Sequence, residues 1–291
     1  MVIGVNYILG LKMCRLYAMA YRKPDHTTLK TFIEAFVESN RYDHYLASLA
    51  PDKSVASHDD GWGLVAVGLV DNTPTHAYYK TVEPIFHENS RRILELYTKK
   101  MASYDEVYII VHARKASRRE PYGPEYAHPY MMMSDSGIAW FAHNGGADKK
   151  LLAEKLGVYP WIRVDSELLG YYVMDSVLSC VGGGGSVDNC VVEAYLTAKH
   201  YVVKNSALNT ALLVLHEDKP HLYITHWVRE PKTQQHQKYF EMISLLSDAM
   251  TFGGSISIRE YLPESYAEKL SSLEPGVYRL EPGSLKKLSD L

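Results

Sequence analysis

Hydrophobic and polar positions alternate loosely over Cys14 to Tyr21, CRLYAMAY, which predicts a strand. Residues 28 to 48 carry Phe32, Ile33, Ala35, Phe36 and Val37 on one face and read as a helix. Trp62 to Val70 is an apolar run with glycines near its ends, the pattern of a buried strand, and a further strand is expected at His76 to Val82. Glu106 to Val111, EVYIIV, is the clearest strand, rich in β-branched residues and tyrosine. Gly137 to Ala142, GIAWFA, is another, stopping at His143-Asn144-Gly145-Gly146.

Lys149 to Leu156 reads as a short helix stopped by Gly157. A longer helix begins at Asp165-Ser166, where either side chain can cap, and runs apolar almost all round through Leu178. A third covers Cys190 to Val203. Strands at Thr210 to His216 and His221 to Val228 flank a turn at Asp218-Lys219-Pro220. Less distinct strands follow, then a helix near Pro263 to Leu273 and a last strand at Val277 to Leu280. Strands, helices and strands succeed one another without regular βαβ alternation and without an internal repeat or long linker. That order predicts an α+β fold with antiparallel sheets.

Composition narrows the function. Hydrophobic residues make up 46% and charged residues 22%, enough for a sizeable core. A net charge of -3 offers no footprint for nucleic acid and no polybasic membrane patch. The first thirteen residues are apolar but lack a charged start, a cleavage site and the ~20 residues of a membrane span. Three cysteines cannot build a disulfide scaffold, so a reducing cytoplasm is the expected compartment. Cys180 and Cys190 flank the loop Gly182 to Gly185 and can pair across it, but two unpaired cysteines are the plainer reading. The glycine run lacks the helix-after context and the Lys-Ser/Thr of a phosphate loop.

Five segments carry candidate chemistry. Cys14 follows Met13; at a chain start its α-amine, with a reference pKa of about 7.7–8.0, would be a base beside its own thiol. As an internal residue it would be a small buried hydrophobe. Arg114, in HARKAS at a strand end, offers a planar fork for one carboxylate, or is a surface arginine in a basic turn with Arg118 and Arg119. Asn144 beside Gly145 supplies two donors able to converge on one oxygen, or forms a hairpin turn. Asp165 can hold a substrate ammonium or cap its helix. Gly61 and Gly63, around Trp62 in HDDGWG, allow close backbone approach beside a ligand, or make a plain turn.

Taken in order, CRLYAMA, HDDGWG, HARKAS, AHPY, FAHNGG and VDSE resemble the class II, N-terminal-cysteine glutamine amidotransferases, from Cys14 to about Leu169. The resemblance implies a four-layer αββα Ntn-hydrolase fold over residues 14–291 and a covalent thioester mechanism. It casts Cys14 as the nucleophile and Asn144 with the Gly145 N–H as the oxyanion hole. Arg114 would hold the substrate α-carboxylate, Asp165 its α-ammonium, and Gly61, Trp62 and Gly63 the wall beside the nucleophile. His112, His128 and His143 would be structural, with no metal and no cofactor. Arg15 in second place fits the stand-alone subgroup. The length leaves no room for a synthase domain, so ammonia would pass to a partner subunit. Hydrolysis of a γ-glutamyl amide in a small metabolite and non-catalytic glutamine sensing are the other two readings. Residues 1–13 would keep the Cys14 nitrogen an amide. A misassigned start at Met13 is the expected explanation, ahead of a removed leader or an inactive form.

Overall fold

The computed structural model describes residues 14–49, 56–116 and 120–291. The anticipated leader, and Ser117, Arg118 and Arg119 of the basic turn, lie outside them.

The first sheet is built from β1 (Arg15–Arg22), β2 (Trp62–Val70), β3 (Thr73–Thr81), β4 (Glu106–Ala113), β10 (Met242–Leu246), β11 (Met250–Ser255) and β12 (Ser271–Ser272), in the order β12-β10-β11-β1-β4-β2-β3. The second holds β5 (Tyr130–Ser134), β6 (Gly137–Gly145), β7 (Ser206–His216), β8 (Lys219–His226), β13 (Gly276–Glu281) and β14 (Ser284–Ser289), ordered β14-β13-β8-β7-β6-β5, with β9 (Val228–Arg229) pairing to β7. The ladders are antiparallel throughout.

Strand alternation assigns the faces. On β1, Leu16, Ala18 and Ala20 meet Trp140 and Ala142 of β6 between the sheets. Tyr17, Met19 and Tyr21 point the other way, into a core shared with α1 (His26–Arg41) and α3 (Glu88–Met101). On β6, Ala139 and Phe141 pack against α4 (Lys149–Leu156), α5 (Asp165–Gly182) and α6 (Val187–Ala198). The layers are helix, sheet, sheet and helix, the α+β sandwich that the resemblance implied. Because helices cover the outer faces, the inner strands are buried on both sides. That is why they read as apolar runs and not as clean alternations.

Several expected boundaries shift. The helix expected over 28 to 48 is two, because Tyr42 ends α1 and Asp43 caps α2 (His44–Leu49), accepting from the Tyr45 and Leu46 backbone N–H groups. Val164, not Asp165 or Ser166, precedes the first turn of α5; its N–H is taken by Glu167. α6 ends at Ala198 and passes into a 3-10 turn at Lys199–Tyr201. The helix expected to Leu273 shrinks to α8 (Glu264–Ala267), after α7 (Gln234–Tyr239), and β14 follows the strand taken as the last.

Cys180 and Cys190 form a disulfide, against the unpaired reading. The tetraglycine turn brings the end of α5 beside the start of α6, and a Cβ at Gly185 would lie 2.6 and 2.8 Å from the two sulfurs. The compartment inference loses the free thiols it rested on. No helix among the described residues is long and apolar enough to cross a membrane.

Candidate active site

The ends of β1, β4 and β6 meet at one edge of the inter-sheet space. Arg15 pairs with Ala113, so the residue before β1, Cys14, lies beside the residue after β4, Arg114. Cys14 shares the parity of Leu16 and Ala18 and faces the second sheet. There its backbone N–H donates to Asn144 Oδ1 at 3.2 Å, linking the sheets across 130 residues of sequence. The other end of that amide, Asn144 Nδ2, is buried without a partner among the described residues.

Gly145 follows under tight constraint, since a Cβ there would sit 1.9 Å from the Ala207 carbonyl oxygen. Arg114 is 3% exposed; Nη2 donates to the Pro121 carbonyl, while Nη1 has no partner among the described residues. Asp165 is fully buried in the first turn of α5, accepting from the Ala147 and Ser166 backbone N–H groups. Cys14, Arg114, Gly145 and Asp165 line one small cleft with His128 and Ser166.

Burial pushes the Cys14 thiol up to about 11; the Arg114 charge pulls it down, and the Asp165 and Asp60 charges add to the rise. Near neutral pH the sulfur is therefore a protonated thiol, and attack requires a base.

The HDDGWG segment holds this edge in place. Asp60 accepts from the Ala116 N–H at 2.7 Å, Asp59 pairs with Lys115 at 2.5 Å, and Gly61 accepts from the Arg114 N–H at 2.8 Å. These contacts fix the Lys115 carbonyl, which faces the Cys14 sulfur at 3.9 Å. Gly61, with φ +108, has no room for a Cβ against the Thr81 carbonyl. A Cβ on Gly63 would sit 2.2 Å from the His128 carbonyl oxygen. Trp62 is not brought to the cleft. Strand parity sends it into the helix-side core, where Nε1 donates to Ser90 Oγ and the ring lies 5.0 Å from that of Tyr79.

Behind Cys14 is a buried polar cluster that motif reading did not supply. Arg15, fully buried, pairs through Nε with Asp43 at 2.5 Å, donates from Nη1 to the Tyr239 carbonyl, and stacks on the Tyr239 ring at 4.0 Å. Asp43 also meets His58 Nε2 at 2.8 Å, and the Tyr239 hydroxyl donates to the Cys14 carbonyl at 3.5 Å. The Arg15 and His58 charges hold the Asp43 carboxyl far below the usual carboxylate range against the cost of burial. An arginine on the helix-facing register of an apolar strand was the available signal.

The three histidines are not arranged as a ligand set. His143 engages Ser166 Oγ and the Ala207 carbonyl, while His112 Nε2 donates to the His143 carbonyl. Among the described residues no group of His, Cys, Asp or Glu is placed to hold a metal ion.

No family model and no curated protein matches the chain. Solved structures do match it. The structure of the allosteric regulatory enzyme of purine biosynthesis aligns over 95% of this chain with a TM-score of 0.54 and 12% identity, a likeness of fold. This chain spans only 49% of that protein's length. The 2.0 Å crystal structure of a predicted glutamine amidotransferase from Pseudomonas aeruginosa PA01 aligns over 94% of this chain and 95% of its own. Its TM-score is 0.36 and its identity 10%, too distant to support an argument.

Proposed function

We propose that this chain is a class II glutamine amidotransferase that hydrolyses the side-chain amide of glutamine through a Cys14 thioester. The observation that carries the reading is the meeting of Cys14 and Asn144 across the two sheets, with Arg114 and Asp165 in the same cleft. Each group answers a need of amide hydrolysis. The sulfur attacks the amide carbon, and the oxyanion that forms is held by Asn144 Nδ2 and the Gly145 N–H. Arg114 Nη1 takes the α-carboxylate and Asp165 the α-ammonium, fixing the glutamyl head.

A protonated thiol must give up its proton to something, and a free α-amine on the same residue would supply a base beside it. That amine passes the proton to the departing ammonia as the C–N bond breaks. Water then cleaves the thioester to glutamate and restores the thiol. In this reading the active form begins at Cys14, and residues 14–291 act as one glutaminase-type domain that supplies ammonia to an acceptor or a partner subunit.

The same clamp would accept a γ-glutamyl amide of a small metabolite, because the glutamyl head is identical. Retention of a peptide bond before Cys14 favours the third reading, a sensor that binds glutamine without turnover. Glutamate release from L-glutamine by protein beginning at Cys14, against a Cys14→Ala control, separates these. Release by the parent alone supports the amidotransferase. Release from γ-glutamyl amides but not glutamine selects the second reading, and binding without release selects the third.

A further inference from the structure

His128 lies on the short Ala127–Tyr130 turn, which is pinned from every side. The Ala127 N–H donates to the Pro124 carbonyl, and the Tyr78 hydroxyl donates to the Pro129 carbonyl at 2.5 Å. The His128 carbonyl fits against the bare Gly63. Its ring is held 3.9 Å from that of His112 and 4.5 Å from that of Tyr130. The residue is 2% exposed, yet it lines the cleft with Cys14 and Arg114. Neither ring nitrogen has a partner among the described residues. A buried imidazole carries one donor and one acceptor, and leaving both unmade costs free energy.

We propose that His128 is a substrate-contacting residue whose ring N–H binds the α-carboxylate of the glutamyl head beside the Arg114 guanidinium. This rests on the function proposed above and adds a recognition residue to it. Two buried donor-bearing side chains in one cleft, Arg114 Nη1 and the His128 ring, lack partners, and a carboxylate has two oxygens to divide between them. Glu120, which also lines the cleft, would oppose an anion, but its carboxylate is paired with Lys149 at 3.4 Å. Burial, and the neighbouring His112, His143, Arg114 and Lys80 charges, hold the imidazole well below its ordinary pKa. It therefore binds as a neutral dipole, which adds no charge repulsion beside Arg114.

The test is calorimetric binding to the full chain carrying Cys14→Ala, so that turnover does not intrude. The ligands are L-glutamine and 4-aminobutanamide, which is glutamine without its α-carboxylate. His128→Phe keeps the ring packing and removes both nitrogens. It should weaken glutamine binding about tenfold, the loss of one hydrogen bond to a charged group, and leave 4-aminobutanamide unchanged. His128→Gln, which retains a donor, should recover part of the loss. In protein beginning at Cys14 the effect should fall on KM and not on kcat. Equal weakening of both ligands by the two variants, no weakening of either, or a collapse of kcat alone would overturn the assignment. Failure of the Cys14→Ala chain to bind glutamine at all would remove the proposed function along with it; glutamine binding indifferent to His128 removes this inference alone.

Discussion

The two ends of the Asn144 amide stand differently. Its oxygen accepts from Cys14, and its nitrogen is buried without a partner among the described residues. Asn144→Asp preserves the shape and the acceptor but replaces the donor with an anion where the proposed mechanism forms an oxyanion. We expect kcat to fall on the order of 10²–10³-fold, with KM little changed, in steady-state glutamate release. Asn144 and Gly145 could be picked from the chain because an Asn-Gly pair at a strand end is a compact statement. Arg15 and Asp43 could not be paired, since 28 residues separate them and nothing local marks either as a partner.

Their ion pair makes a second prediction. Arg15→Met leaves the Asp43 charge buried and should cost about 3–5 kcal/mol in chemical denaturation. The Asp43 carboxyl is depressed in the folded chain, so its contribution is present above its unfolded pKa of about 3.9 and is lost as pH falls toward the folded value. Asp43→Asn should therefore destabilise most near neutral pH. The gap from the parent should narrow as pH drops below about 4.

At the scale of elements, glycine decides how closely strands and turns approach. A methyl at Gly145 would collide with the Ala207 carbonyl of β7 at 1.9 Å, and one at Gly63 with the His128 carbonyl at 2.2 Å. Gly145→Ala should cost about 1–3 kcal/mol by displacing strand against strand. It should also reduce turnover, because the displaced strand carries Asn144; thermal melts and glutamate release measure the two effects. The disulfide offers a contrast. Cys180→Ser with Cys190→Ser should remove about 2–4 kcal/mol of stability while leaving kcat intact, because the clip joins helix ends and not the cleft.

Elements were legible where their signal was dense. β2 and α4 have the ends read from sequence, the first as an unbroken apolar run and the second between a capping Asp148 and Gly157 at φ +66. α3 escaped notice because its buried stripe is Ser90, Leu94, Thr98 and Met101, half polar and therefore faint as a periodic pattern. β5 escaped because an edge strand of Tyr130 and three methionines with Met131 and Met133 exposed resembles a loop, core or interface equally well. Trp62 was placed with its neighbours by sequence adjacency, whereas strand parity turns it to the opposite face.

For the whole molecule, the sandwich is what assembles the site. Cys14 and Arg114 come from one sheet, Asn144 and Gly145 from the other, and Asp165 from a helix outside it. The order of segments made these residues candidates; only the stacking of two seven-stranded sheets puts Cys14, Arg114, Gly145 and Asp165 in one cleft and joins Asn144 to Cys14. His128 and Asp60, by contrast, acquire roles from contacts no periodicity encodes: a carbonyl over a missing Cβ, and a carboxylate taking a backbone N–H.

The central claim is that Cys14, freed at its nitrogen, attacks a glutamine-shaped substrate. The most direct measurement is intact mass after exposure to 6-diazo-5-oxo-L-norleucine, whose glutamyl head is that of glutamine and whose diazoketone alkylates a thiol with loss of N₂. Protein beginning at Cys14 should gain one adduct, mapped to Cys14, slowed by added L-glutamine and absent from Cys14→Ala. A folded protein that gains no adduct at Cys14, or gains one that L-glutamine does not slow, would contradict the account.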